Sequence, residues 1–236
     1  MNHKSSGISH KRQPTNIRER FWRQQGFELI AGVDEVGVGA WAGPMVVAAC
    51  ILKYPRRLAG VRDSKELTAK KRAELYEKIL SNSLTYAVAF VSSKIIDHRG
   101  LSVANHLAVN LAISRLNPRP DFILLDGRFT HGLKQSAEAI IDGDAKEVVI
   151  AAASIIAKVT RDRWMIKLAR ACPYYGFERH KGYGTEFHQH QLQKHGVSQW
   201  HRDSYAPIKK LILAANRDYL TAHPSRRPVR AFGRAY

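Results

Sequence analysis

The stretch AGVDEVGVGAWAGP, residues 31–44, most limits what this chain can fold into. It joins FELIAGVD (27–34), which reads as a strand, to MVVAACIL (45–52), which reads as another. Between them come Gly37, Gly39 and Gly43, then Pro44. Gly37 to Ala42 match the G-x-G-x-x-[GA] pattern of a dinucleotide loop. Such a loop needs a helix directly after it, because the pyrophosphate rests on that helix's N-terminus. Paired valines and an isoleucine suit a strand instead. The glycines therefore lie between two strands, and Asp34 and Glu35 stand where the first strand runs out.

A buried carboxylate is costly unless it is paired or holds a cation. Asp126 ends another apolar strand, FILLDG (122–127), and Asp144 closes a third short apolar run in IIDGDAK. Acids at the ends of neighbouring strands can meet at one edge of a sheet. Their oxygens would suit Mg²⁺ or Mn²⁺. Two such ions about 4 Å apart can hold a phosphodiester and activate water. A plainer reading stays open for each acid: Asp126 before Gly127, and Asp142 or Asp144 in D-G-D, also fit turns. Glu35 follows Asp34 directly, and neighbours on a strand point to opposite faces. It can share the site only if the strand ends or twists there, or through its backbone carbonyl.

The rest of the chain alternates. Thr68 caps a helix to about Leu80, with Leu75, Tyr76, Ile79 and Leu80 on its buried side. TYAVAFVSS (85–93) reads as a strand. Val103, Leu107 and Leu111 recur every four residues, which predicts a helix over 102–116, stopped by Asn117-Pro118. Residues 148–170 form a long helical stretch, and 185–196 a short one with Thr185 as cap and Gly196 as terminator. This order implies an α/β domain on a mixed sheet over 21–220. Residues 1–20 are expected to be a basic flexible arm, and 221–236 a basic flexible tail.

Lys and Arg total 38 against 20 Asp and Glu, a net charge of +18. Such an excess points to a polyanion, nucleic acid first. Cys50 and Cys172 stand far apart with no partner at zinc spacing, which fits a reducing compartment. No run approaches the ~20 apolar residues of a membrane span. Residues 1–18 lack acids, as transit peptides do, but carry no apolar signal core. A cytoplasmic location and a monomer are expected.

Six blocks in order then carry a resemblance: AGVDEVGVGAWAGPMVVAAC, DSKELT (63–68), LLDG (124–127), GDAK (143–146), AAASIIAKVTRDR (151–163), and HKGYGTEFH (180–188) with HRDSY (201–205). Over about residues 27–210 the chain resembles the ribonuclease HII family. The resemblance implies an RNase H-like fold, a mixed sheet flanked by helices with a C-terminal helical segment. It implies cleavage of RNA in RNA–DNA hybrids and of DNA beside embedded ribonucleotides, leaving 3′-hydroxyl and 5′-phosphate ends. Asp34, Glu35, Asp126 and Asp144 match the family's catalytic, metal-binding acids, with two divalent ions and Asp34 bridging them.

Gly37, Val38 and Gly39 match the loop whose backbone meets the ribose 2′-hydroxyl. The family normally has arginine where Val38 stands, so one phosphate contact is missing here. Lys65 matches a phosphate-binding position, and Tyr183 the tyrosine that packs on the sugar. Arg161 and Arg163 are expected to do different jobs, with Asp162 an ion-pair partner. Five histidines between His180 and His201 have no cysteine beside them and are expected at polar surface positions, not on zinc. The rival readings are a non-catalytic binder of such duplexes and another two-metal nuclease on a similar sheet.

Overall fold

The computed structural model describes residues 13–222 apart from 54–57, 59, 62–63, 129 and 131. The first half runs α1 (Ile17–Gln24), β1 (Ile30–Val36), β2 (Met45–Leu52), α2 (Ala69–Asn82), β3 (Ser83–Val91), α3 (Ser93–Arg99) and α4 (Leu101–Ser114). The second runs β4 (Phe122–Asp126), β5 (Ser136–Ile140), α5 (Gly143–Lys146), α6 (Val148–Ala171), α7 (Phe177–His180), α8 (Glu186–His195) and α9 (Ala206–Ala222). The strands form one sheet in the order β3-β2-β1-β4-β5. β1, β2 and β3 pair antiparallel, while β4 lies parallel to β1 and β5 parallel to β4. The fold is the RNase H-like mixed sheet flanked by helices, with α7–α9 as the C-terminal helical segment.

Two apolar layers sandwich the sheet. Ile30, Val46, Ala48, Cys50 and Leu124 pack beneath α6, with Leu75 and Ile79 of α2. Ala31, Val33, Val47, Ala49 and Ile123 pack against α4. Burial on both faces makes β2 a continuous apolar run rather than an alternating one. α6 comes unusually close to β1: a Cβ on Gly32 would lie 2.3 Å from the Val149 carbonyl oxygen. Only glycine permits that approach, and it brings Ser154 of α6 beside the end of β1.

One expectation changes, and two elements show what their sequence signal left open. Val103, Leu107 and Leu111 do form a helix, but they face solvent, and Ala104, Ala108, Ala112 and Ile113 are the buried side. Alanines fit a helix laid closely on a sheet, so the larger residues are the ones left outside. β5, SAEAI, carries little strand signal because it is a half-exposed edge. The expected arm over 1–20 does not extend to residue 20. Residues 1–12 lie outside the described residues, but Thr15 bridges Glu147 and Ile17–Gln24 is helical. The expected tail lies outside the described residues from position 223.

Candidate active site

β1 and β4 are adjacent and parallel, so their C-terminal ends bring Asp34, Glu35 and Asp126 to one edge of the sheet. The chain leaves β5 through Asp142, in a left-handed conformation, into the single turn of α5 that carries Asp144. Asp34 is 5% exposed and its Oδ1 accepts the Glu35 N–H at 2.7 Å. Asp126 Oδ1 accepts the Gly143 N–H at 2.7 Å, which ties β4 to the Asp144 turn. Lys65 Nζ stands 3.2 Å from Asp144 Oδ2. The short 3₁₀ turn that carries Lys65 is anchored by Ser64 and Ser154, whose hydroxyls meet at 3.0 Å.

Burial and the neighbouring acids act together on Asp34 and Glu35. Burial pushes the Asp34 carboxyl well up, and Glu35, Asp126 and Asp144 push it further, against a hydrogen bond from Ser154. Glu35 is pushed up to about 7 by burial and then by Asp126, with Lys65 and Asn105 pulling the other way. The four acids act on one another across the strand ends even though Asp34 and Glu35 leave β1 on opposite faces. Among the described residues no three His, Cys, Asp or Glu side chains grip a common point as they stand. Asp144 is held by Lys65 and Asp126 by the Gly143 N–H. Four carboxylates at one place nevertheless fit a hard divalent cation in donor type and in sign.

A second group of residues forms a wall beside the acids. Trp41 and Ala42 N–H groups both reach the Gly182 carbonyl, at 2.8 and 3.2 Å, and Arg202 N–H reaches the Trp41 carbonyl at 2.8 Å. Two fully buried arginines brace this wall. Arg161 donates to the carbonyls of Pro44, Ala42 and Lys181. Arg202 donates to the carbonyls of Gly43 and Val38 and to the Tyr205 hydroxyl. A Cβ on Gly37, where φ is +88°, would lie 2.2 Å from Arg161 Nε. Gly39 by contrast has open space around it. Val38 packs half-buried against the apolar layer under α4. Tyr183 sits 5.3 Å from the Arg161 guanidinium, on the α6 side of the same wall.

Arg163 lies apart from Arg161, exposed over the Tyr76 ring and near Glu77. Asp162 pairs with Lys158 at 2.9 Å. The histidine expectation is corrected: His180, His188 and His201 are buried, not on the surface. Their partners fix all three as neutral. His188 Nδ1 faces the Tyr183 carbonyl at 2.9 Å, so it carries the proton, and Nε2 accepts from His201 Nε2 at 3.0 Å. His201 Nδ1 then accepts from Ser198. His180 Nε2 donates to the Tyr175 carbonyl while Nδ1 accepts the Gly182 N–H. They are structural braces for the Tyr183 loop.

Sequence reasoning assigned no role to Arg202 or Asn105. Arg202 sits in the HRDSY block, which gave it a place but no partner. Asn105 hydrogen-bonds Glu35 from α4, and its Oδ1 is buried without a partner. A single asparagine on a helix carries no pattern that could have marked it.

The profile of the family described as Ribonuclease HII matches residues 31–207; helix α1 precedes that span. The chain is 44% identical to the Ribonuclease HII of Endomicrobium trichonymphae, over 82% of this chain and 93% of that one. It is 45% identical to that of Bacillus subtilis (strain 168), over 81% of this chain and 74% of the relative. The crystal structure of the ribonuclease H2 from Pyrococcus horikoshii OT3 superposes with a TM-score of 0.68 at 27% identity, covering 78% of this chain and 97% of that chain. A matched span that takes in the whole acid cluster and the wall beside it, with relatives this similar over most of their length, makes this chain a member of the ribonuclease HII family, a ribonuclease H hydrolase.

Proposed function

We propose that this enzyme cuts the RNA strand of RNA–DNA hybrids and incises duplex DNA beside embedded ribonucleotides. The observation that carries the reading is the four-acid cluster at the strand ends, where burial and neighbouring acids push the Asp34 and Glu35 carboxyls up, beside a wall built from the glycine loop and Tyr183. Asp34, Glu35, Asp126 and Asp144 would hold two Mg²⁺ or Mn²⁺ ions. Such ions supply positive charge for the phosphate oxygens and lower the pKa of bound water. Lys65, whose Nζ already faces the cluster, would hold a phosphate oxygen. The backbone of Gly37, Val38 and Gly39 would meet the ribose, where the open side of Gly39 lets a sugar come close. Tyr183 would pack on the sugar. In the reaction water adds to phosphorus, the P–O3′ bond breaks, and the products carry 3′-hydroxyl and 5′-phosphate ends. The excess of 18 positive charges supports duplex binding that weakens steeply with salt.

The test is a labelled DNA duplex with one ribonucleotide, incubated with Mg²⁺ or Mn²⁺. Incision on the 5′ side of the ribonucleotide is expected. It should be absent with EDTA, with the Asp126→Asn variant and on an all-DNA duplex. Tight binding without cleavage would favour a non-catalytic binder. Cleavage of the all-DNA duplex would favour a different nuclease.

A further inference from the structure

Helix α1 has no part in the site just described, yet it is fastened to the segment that carries Asp144. Thr15 N–H donates to the Lys146 carbonyl, and Val148 N–H donates to the Thr15 carbonyl, both at 2.8 Å. The Glu147 side chain turns away from the acid cluster, and its Oε1 accepts the Arg18 N–H of the first turn of α1 at 3.0 Å. Asn16, the residue in the capping position of α1, makes no side-chain cap. Glu147 therefore caps α1 from a different element, with its carboxylate at the positive end of the helix. It is 2% exposed, and its other oxygen has no hydrogen-bond partner.

Three further contacts fix α1 to the strands. Arg18 pairs with Glu138 of β5, and Trp22 Nε1 donates to the same carboxylate at 2.5 Å. The Trp22 ring stacks on Phe122 at the start of β4, 4.1 Å between centroids. β4 ends at Asp126 and β5 leads to Asp144, so α1 grips both acid-bearing segments away from their acids. The Asp144 turn needs such a grip. α5 is a single turn of four residues, flanked by bonds from Ala145 N–H to the Asp142 carbonyl at 3.1 Å and from Glu147 N–H to the Gly143 carbonyl at 2.8 Å. Its entry passes through Asp142 at φ 54°, which costs a non-glycine residue free energy.

We infer that helix α1 is a positioning element for the active site, and that Glu147, by capping α1, holds the Asp144 turn where a cation can use it. The inference rests on Asp144 being a cation ligand. Glu147 acts through the backbone of residues 144–148 and touches no substrate.

The full-length protein would be compared with Glu147→Ala, which removes the cap, and Glu147→Gln, which keeps an acceptor oxygen for Arg18 N–H. Leu192→Ala, in the buried C-terminal cluster away from α5, serves as the merely destabilised control. Hydrogen exchange over peptide 141–150 in metal-free protein should rise about tenfold in the Ala variant and return toward wild type in the Gln variant. Mn²⁺ affinity measured by calorimetry should fall about tenfold in the Ala variant alone. Leu192→Ala should change neither. Unchanged exchange and Mn²⁺ affinity in Glu147→Ala, with Asp144→Asn still abolishing Mn²⁺ binding, would overturn the inference and leave the site reading intact. If Asp144→Asn binds Mn²⁺ and cleaves as wild type does, the ligand assignment fails and this inference fails with it.

Discussion

His188 and His201 share one hydrogen bond, Nε2 to Nε2 at 3.0 Å; the accepting His188 must be neutral, and His201 is neutral too because its Nδ1 accepts the Ser198 N–H. Burial first, and then the neighbouring histidines, push His188 down to about 4 and His201 to about 3. The unfolded chain binds these protons near pH 6.5 and the folded protein does not. The stability they contribute is therefore complete above about pH 6.5 and is lost as pH falls toward 4. Glu35 and Glu147, both pushed up to about 7, act in the opposite sense. Their contribution is complete below about 4.5 and is lost as pH rises to 7. His201→Asn separates the two. The stability gap between wild type and variant in urea titrations should be widest near pH 7.5. It should shrink by up to about 1.4 kcal/mol per pH unit below 6.5. A gap that does not change with pH would refute the neutral pair.

Gly37 and Gly39 stand two residues apart and should respond differently to alanine. Gly37→Ala strains a positive φ and drives a methyl into Arg161, so melting temperature and activity should both fall. Gly39→Ala meets nothing in the free protein. Its melting temperature should stay near wild type while KM rises, because only the substrate comes close there. Unchanged KM in Gly39→Ala would remove this loop from the substrate surface.

Asp34→Asn should abolish cleavage and, in EDTA at pH 7.5, raise stability. The Asp34 carboxyl is buried among three other acids and its pKa is raised, so its ionised form opposes folding at neutral pH. Asparagine keeps the acceptor for Glu35 N–H and removes the charge. A gain of about 1–3 kcal/mol is expected by chemical denaturation. A loss of stability would mean that the charge is compensated in the free protein.

Val38→Arg should tighten hybrid binding. A guanidinium at that half-buried position can leave its stem on the apolar layer and extend its head to a phosphate. The slope of log affinity against log salt should steepen by about one. An unchanged slope would show that the new side chain does not reach the duplex.

Much of the site is legible in the chain because its acids end apolar runs. Ile30–Val33 and Phe122–Leu125 are buried strands, and a charge at the end of such a run has nowhere to go but the sheet edge. Thr68 and Thr185 cap their helices as read, each accepting the N–H three residues on at 3.2 Å. Periodicity proved ambiguous where both faces of an element are apolar. In α4 the leucines that announce the helix point outward, and its alanines face the sheet.

Local chemistry thus determined which apolar runs become strands and where the helices capped by Thr68 and Thr185 start, since each depends on neighbours within a few residues. Tertiary structure alone decided which distant carbonyls Arg161 and Arg202 satisfy, why His180, His188 and His201 are neutral, and that Glu147 caps a helix more than a hundred residues earlier in the chain. A buried polar group takes its meaning from its partner, and pairings across such separations are set only when the layers close.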